Sequence, residues 1–551
     1  MKDLAVTHIS TSPVYIEERH FLEALTRWNY FPNQKELATE LPPSICTRRF
    51  TPEIAHKLLK NVALSKTRKR LGFDLVEYRS TRYNNVSRIL GLIHPMAYAN
   101  IFGVIEANID IIKESIKDPN SAITIECHID GRMLIMNYED PETKALTSAE
   151  QSFGKKFRAH TDVANCFGSI YTHSVEWATQ GFAEAKAKLT GPREDAHWSS
   201  ELDCALRSAK RGETSGLPIG PASSSIAVEI ILAAVDSKLR QNHSFVRYID
   251  DYTALCNTHA QAEEFIRDLG KELSKYKLTL NLAKTSIVEL PEPLQEHWVS
   301  ELTAALPPLL RDDGKIAFLN TRDAFQFLDH AVRLNNITPD GSVLKFSVAA
   351  LSRRLKDKTA AEVFQYVLNL AWHYPILLPY LEQIDAHADY YNKENLIEKL
   401  NEIIYTNALQ HRSDGMCWAL YYLERLEAQP SERAIDEIID SKDCVALAML
   451  SRFETATPKI VDYANTLLGG SRYAIDENWF LFYQLYFTDK IKDPYENEET
   501  FKILKQYKVD FFCKPEEQSD AEQYCSVITN PFRNEDTLPT FDEWINKNNQ
   551  N

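Results

Sequence analysis

The chain contains no apolar run long enough to span a bilayer, and its start lacks a basic segment followed by an apolar stretch. Neither a transmembrane helix nor a secretory leader is therefore expected, no membrane partner is implied, and a cytoplasmic location follows. No Cys-x-x-Cys pair occurs among the nine cysteines. Their odd number and scatter argue against a fully paired disulfide framework or a zinc ribbon, leaving ordinary reduced thiols. An excess of positive charge is also missing, since the formal net charge is −16. That balance looks unsuited to holding nucleic acid until it is divided along the chain. Residues 1–300 carry 36 basic and 38 acidic side chains, and residues 301–551 carry 26 and 40. The acidity is thus concentrated in the second part. The first part is nearly neutral, with basic clusters at Lys66, Arg68, Lys69 and Arg70 and at Lys155, Lys156 and Arg158. Such clusters can touch phosphates or simply form a solvated face.

With 551 residues and 44% hydrophobic content, the chain is long enough for two or more globular domains. From about Asn84 to Val288 strand-like and helical segments alternate. Arg88 to Ile93 reads as a strand ended by His94-Pro95, Ala97 to Ile116 as a helix, and Ala122 to Met136 as a strand pair turning at Asp130-Gly131. From about Leu302 onward, helical segments are separated by polar breaks. They cover Ala360 to Leu370, Leu396 to Leu409, Cys417 to Leu426, Ala434 to Ile439 and Val445 to Phe453. Helix pairs recur about every forty residues, near the HEAT or armadillo period, yet without a strict consensus, so an irregular helical domain is an equal alternative. The tail after Lys492 gives no pattern that assigns its structure.

The richest segment runs from Phe245 to Cys256, where Asp250 and Asp251 separate two short runs of β-branched and aromatic residues. The pattern predicts a β-hairpin with both carboxylates at its tip. Adjacent like charges there are costly, and a divalent cation would offset the cost. A solvated acidic turn is the plainer alternative.

Three further segments carry candidate chemistry. Phe157 to Asp162 predicts a strand ending in a carboxylate, followed by a helical run through Ile170 and Trp177; Asp162 alone would equally suit a helix cap. Phe167, five residues on, fits either a core position or the floor beneath a sugar ring. Ser215-Gly216-Leu217-Pro218-Ile219-Gly220 is a turn feeding an apolar helix from Ile226 to Leu239. Its glycines permit close backbone approach to a nucleotide, and Ser224 can cap the helix or meet phosphate. Finally, Leu278 to Thr285 predicts a strand with Lys284 at its end, placed either at the surface or as an acid for a departing pyrophosphate.

In this order and spacing, the four segments resemble a reverse-transcriptase palm, and Tyr248-Ile249-Asp250-Asp251 resembles that family's signature. The resemblance implies an α+β fold: reverse-transcriptase fingers and palm over residues 1–300, with an N-terminal helical extension over about 1–80. An all-α HEAT-like helical domain over 301–551 replaces a thumb. Residue by residue, Asp162 and Asp250 match the metal-ligating aspartates and Asp251 the accompanying acid. Phe167 matches the steric gate that favours deoxynucleotides; Gly216, Pro218, Gly220 and Ser224 match the glycine loop, Lys284 the later palm lysine and Arg88 the fingers arginine. The implied cofactor is a pair of Mg²⁺ ions, with Mn²⁺ as a substitute.

Ile219 stands where templated relatives carry glutamine, and no thumb is recognisable after Lys284. The arrangement resembles the abortive-infection (Abi) branch of bacterial reverse transcriptases, which defend against phages, and most closely its prophage-encoded type. That resemblance implies homo-oligomer assembly as a trimer or hexamer and untemplated DNA synthesis from dNTPs. The single-stranded product would be primed from, and covalently attached to, a Tyr, Ser or Thr, with Tyr15 and Tyr30 as candidates. An RNA-templated enzyme and a catalytically inactive polymerase-fold scaffold are the alternatives.

Overall fold

A computed structural model of the chain describes residues 18–32, 39–82, 86–127, 131, 133–136, 148–188, 197–293, 296–308, 311–312, 315–316, 318–339, 342–384, 392–495, 498–513, 517–528 and 540–548. Asn84, Asp130 and Tyr15 lie outside these residues.

Strands β1 (Leu75–Thr81) and β2 (Ser87–Ile93) form an antiparallel pair, as do β3 (Ile123–Cys127) and β4 (Met133–Met136). The strand expected from Arg88 is therefore present, but β1 begins within the stretch read as a helical extension. His94 caps the following helix through its side chain, and Pro95 occupies the first turn, where its missing N–H costs nothing. The single helix expected over Ala97 to Ile116 is two, Pro95–Ala107 and Ile109–Ile116, because Asn108 leaves helical geometry at φ −129°.

A four-stranded antiparallel sheet in the order β6-β7-β5-β8 carries the acidic motifs. Its strands are β5 (Phe157–Asp162), β6 (Phe245–Tyr248), β7 (Asp251–Cys256) and β8 (Ser286–Glu289). Alternation sends Ala159, Thr161, Tyr252 and Ala254 into the core, where the helices Ala222–Leu239 and His259–Ser274 lie. Fourteen of the eighteen residues of Ala222–Leu239 are buried, so this helix serves as the central pillar rather than a surface element.

The all-α expectation for 301–551 is interrupted by a two-residue strand pair, Arg311–Asp312 with Lys315–Ile316. Among the described residues from Thr321 onward the main elements are helices, including Asp357–His373, Lys393–Leu409, Ser413–Arg425, Glu432–Ser441, Cys444–Leu450 and Trp479–Phe487. The tail then folds back onto the beginning of the chain. Ile45 and Phe512 form an antiparallel bridge, and Phe31 stacks on Phe511 at 5.3 Å. Arg68 is buried and holds Asp476 at 2.5 and 2.9 Å and Glu498 at 3.0 Å, which removes it from the basic cluster of its neighbours. Arg158 is likewise engaged, with Glu292. Among the described residues, eight cysteines are free, and no helix is long and apolar enough to cross a membrane.

Candidate active site

In the sheet register, Asp162 lies directly opposite Asp251 and His160 opposite Thr253. Both pairs project from the face away from the core. The tip of the β6–β7 hairpin joins them through its backbone, as the Val163 amide donates to the Asp250 carbonyl at 3.1 Å. On the other side the Asn281 amide donates to the Asp162 carbonyl at 2.9 Å. Backbone bonds thus bring together three segments: the end of β5 with Asp162, the hairpin with Asp250 and Asp251, and the turn that carries Lys284.

Two local expectations are corrected. The hairpin's two turn residues are Ile249 and Asp250; Asp251 is already in β7, paired with Tyr248. Ile249 has φ 58°, a left-handed conformation that costs a β-branched residue about 1–2 kcal/mol. Sequence preference would place Gly there, which is why the tip was expected one residue later. Lys284 does not end a strand but sits in a turn before β8. That turn is fixed by the Lys284 amide donating to the Asn281 carbonyl at 3.1 Å and by Thr285 meeting Thr161 of β5, hydroxyl to hydroxyl, at 2.7 Å.

The turn aims Lys284 at Asp162, with Nζ 2.5 Å from Oδ2. Oδ1 of Asp162 is buried without a hydrogen-bond partner, an unmet acceptor of the kind a cation satisfies. Burial, reinforced by Asp251 and Asp162, pushes the Asp250 carboxyl above its ordinary range, while Lys284 pulls against it. The hydrogen bond to Asp162 raises the Lys284 ammonium, which stays charged. Burial lowers His160, with Asp251 and Asp162 opposing. Crowded carboxylates with one open acceptor fit divalent ions, and Asp162 and Asp250 would be the ligands. Among the described residues no three His, Cys, Asp or Glu side chains form a cage for an ion. Substrate phosphates and water would complete the coordination, as is usual for Mg²⁺.

Phe167 lies in the short helix Cys166–Ser169, half-buried against the core, and its carbonyl accepts from the Leu217 amide at 2.8 Å. The glycine loop is therefore stitched to the segment after Asp162. Gly216 has φ 81°, and a Cβ there would press on the Gly168 carbonyl at 3.2 Å. On its far side, the loop reaches β2 through the Gly91 amide and Ile219 carbonyl at 3.1 Å, and Pro218 packs where a Cβ on Gly91 would come within 2.6 Å. Gly220, at φ 122°, is instead required by Pro32, 2.5 Å from its hypothetical Cβ. Ser224 is buried with an unpartnered hydroxyl and does not cap the helix, whose cap position is Pro221.

Arg88, Gly168, Gly216 and Pro218 line a cleft of about 970 Å³ whose opposite wall includes Lys442, Tyr463 and Glu477. The cleft reaches Asn165 but stops short of Asp162 and Asp250. On the cleft wall, Nε of Arg88 is buried without a partner, and burial lowers its guanidinium against the opposing charges of Glu40 and, more weakly, Asp250. Tyr30, considered as a primer, is fully buried with its hydroxyl donating to the Ile93 carbonyl.

The sequence reading missed Arg247, Glu229, Asp236 and Tyr252, which form a buried polar network behind the hairpin. A signal was available, because alternation in β6 turns Arg247 toward the core and Glu229 and Asp236 interrupt an otherwise apolar helix.

Residues 121–330 match the family model described as reverse transcriptase (RNA-dependent DNA polymerase), and the chain thus contains a reverse-transcriptase domain of polymerase type. The matched stretch includes all four acidic, glycine and lysine segments. Solved structures that match include apo telomerase from Candida tropicalis, at 11% identity over 78% of this chain and 76% of that one, with a TM-score of 0.29. Telomerase from Candida albicans in complex with a fragment of telomeric RNA matches at 12% identity over 75% and 67%, with a TM-score of 0.27. A C. tropicalis telomerase lacking its C-terminal domain matches at 12% over 44% of this chain and 56% of that one, also with a TM-score of 0.27. No curated protein matches the chain.

Proposed function

We propose that the chain is a phage-defence DNA polymerase of the abortive-infection type, closest to the prophage-encoded kind, which joins deoxynucleotides from dNTPs without a template. The observation that carries the nucleotidyl-transfer part is the register that sets Asp162 directly opposite Asp251, next to Asp250 in the hairpin turn, with Oδ1 of Asp162 buried and unpartnered. Asp162 and Asp250 would hold two Mg²⁺ ions, or Mn²⁺, while Asp251 supports the hairpin. Ions held there would supply a lowered pKa for an attacking hydroxyl and positive charge for the leaving pyrophosphate. Phe167 excludes ribose from beneath, the Gly216–Gly220 loop fixes the segment bearing it, and Arg88 meets the triphosphate. Lys284 supplies positive charge beside Asp162, or a proton to the pyrophosphate.

The untemplated, protein-primed character rests on the resemblance together with Ile219 and the helical half in place of a thumb. In this reading residues 301–551 form a HEAT-like domain beside fingers and palm at 1–300, the protein is a homo-oligomer working in the cytoplasm, and a single-stranded product grows from a Tyr, Ser or Thr hydroxyl. Of the two tyrosines considered, Tyr30 is too deeply buried to prime without unfolding its surroundings.

The test is nuclease-treated, purified protein given Mg²⁺ and labelled dNTPs with no added nucleic acid. Label that remains on the protein through denaturation supports priming from the chain. Incorporation that appears only with added RNA selects the templated enzyme instead. If Asp250→Ala leaves phage protection intact, the scaffold alternative replaces the enzymatic account.

A further inference from the structure

The buried network behind the hairpin has no part in the chemistry above, yet it touches the turn that presents Asp250. Arg247 is fully buried on the core side of β6. Its Nη1 and Nη2 donate to the two carboxylate oxygens of Glu229 at 3.0 Å each, and Nε donates to Asp236 at 2.7 Å. Nη1 also donates to the Ile249 carbonyl at 2.8 Å. The second oxygen of Asp236 accepts from the Tyr252 hydroxyl at 2.9 Å. The backbone of Arg247 is held as well, its amide donating to Asn120 at 2.8 Å and its carbonyl accepting from Ala122 at 2.9 Å.

Glu229 and Asp236 stand seven residues apart, two turns along one face of the helix into which the glycine loop leads. The guanidinium therefore ties that helix to the hairpin tip. The tip needs such support, because its first turn residue is Ile249 in a left-handed conformation that hairpins ordinarily assign to glycine. Ile249 itself is half-buried, and its side chain is not part of the core that anchors the strands.

We infer that Arg247 is a positioning residue for the Asp250 carboxylate: Glu229 and Asp236 cradle its guanidinium, and the guanidinium clamps the Ile249 carbonyl, fixing the left-handed turn from beneath. A planar fork is required, since one group must meet two carboxylates and a carbonyl in set directions; a lysine ammonium keeps the charge without that geometry. The kinetic consequence rests on the polymerase reading, whereas the binding consequence does not.

The experiment compares the full-length protein with Arg247→Lys, Ile249→Gly and the double variant, using Asp250→Ala as the zero reference. Mn²⁺ binding is followed by electron paramagnetic resonance, and kcat and KM for a dNTP are measured in parallel. Arg247→Lys is expected to weaken Mn²⁺ binding and lower kcat by about 10- to 100-fold, the range for residues that orient a ligand from behind, with KM for the dNTP little changed. Ile249→Gly in the Arg247→Lys background restores most of the lost Mn²⁺ affinity, because glycine adopts the turn without a clamp. A purely structural Arg247 would lower the melting temperature and show no such rescue. If Arg247→Lys does not fold, Glu229→Gln loosens the same clamp and must weaken Mn²⁺ binding in a way that Ile249→Gly repairs.

Wild-type Mn²⁺ affinity in Arg247→Lys, absence of rescue, or wild-type binding no tighter than that of Asp250→Ala overturns the inference. Mn²⁺ binding that follows the expected series in a protein that incorporates no dNTP overturns the polymerase reading and leaves the inference standing.

Discussion

Lys284 Nζ lies 2.5 Å from Oδ2 of Asp162, while Oδ1 of the same carboxylate is buried with no partner. One oxygen is thus neutralised by the chain and the other left open, on a residue whose cross-strand neighbour, Asp251, is also an acid. The arrangement concentrates negative charge and offsets only part of it.

That imbalance predicts a trade between stability and activity at Asp250. Burial, Asp251 and Asp162 raise its carboxyl, so ionising it costs folding free energy once the pH exceeds the unfolded value. Asp250→Asn should abolish nucleotide incorporation while leaving the melting temperature unchanged or higher at neutral pH without divalent ions. Differential scanning calorimetry beside the labelled-dNTP assay checks both halves, and a fall in melting temperature counts against the repulsion.

Phe167→Ala should raise rNTP use relative to dNTP by about tenfold or more, as expected when a steric contact that discriminates by over 1 kcal/mol is lost. Competition between labelled ATP and dATP reads the ratio directly. Unchanged selectivity would place Phe167 among ordinary packing residues, a role its half-buried side chain also allows.

The strands and the order of the motifs were legible because they are local. Ala159 and Thr161 alternate with His160 and Asp162 within six residues, and the hairpin announces itself through Tyr248 and Tyr252. What escaped depends on partners far away or on conformation without a residue signature. Ile249 takes a left-handed turn that its side chain disfavours, which moved the tip by one position. The turn around Lys284 is set by Thr161, more than a hundred residues earlier, not by its own apolar run. The tail gave no pattern because its order comes from packing on Phe31 and Ile45.

Arg68 tests how tightly that fold-back holds. It is 1% exposed, meets Asp476 and Glu498, and lies over the Phe73 ring at 3.9 Å. Arg68→Met should destabilise the protein by about 3–5 kcal/mol, since two buried carboxylates lose a shared guanidinium, leaving Glu498 with Arg472 and Asp476 with only the Tyr495 hydroxyl at 2.7 Å. The double change with Asp476→Asn should cost less than the sum of the single changes. Urea denaturation of the four proteins completes the cycle, and strict additivity would mean that the pair is not coupled.

Asp414 sets a pH dependence. It is buried and accepts from the Thr81 amide at 2.7 Å and the Thr81 hydroxyl at 2.8 Å, joining the helix Ser413–Arg425 to β1. Burial pushes its carboxyl up to about 6, from an ordinary 3.8. The folded protein therefore binds this proton more tightly than the unfolded chain. Its contribution is complete below about pH 4, declines as the pH rises to 6, and is flat above, a loss of at most about 3 kcal/mol. Asp414→Asn should flatten this part of the stability profile between pH 4 and 6. A decline of the same slope in the variant would assign it to other groups.

Lys284 separates two uses of one charge. As a proton donor it would have to release its proton readily, yet the hydrogen bond to Asp162 raises its pKa and makes it a weaker acid. As a counter-charge it needs only to remain positive, which that same bond favours. The two uses diverge in Lys284→Arg, whose guanidinium holds charge but does not give up a proton. We expect Lys284→Ala to lose about 100-fold in kcat, the lower range for a group acting on the transferred atoms, and Lys284→Arg to recover most of it. Being largely exposed, Lys284 should leave the melting temperature almost untouched in either variant. An arginine variant as inactive as alanine would restore the proton to Lys284 and leave Asp162 to be neutralised by the incoming metal ion.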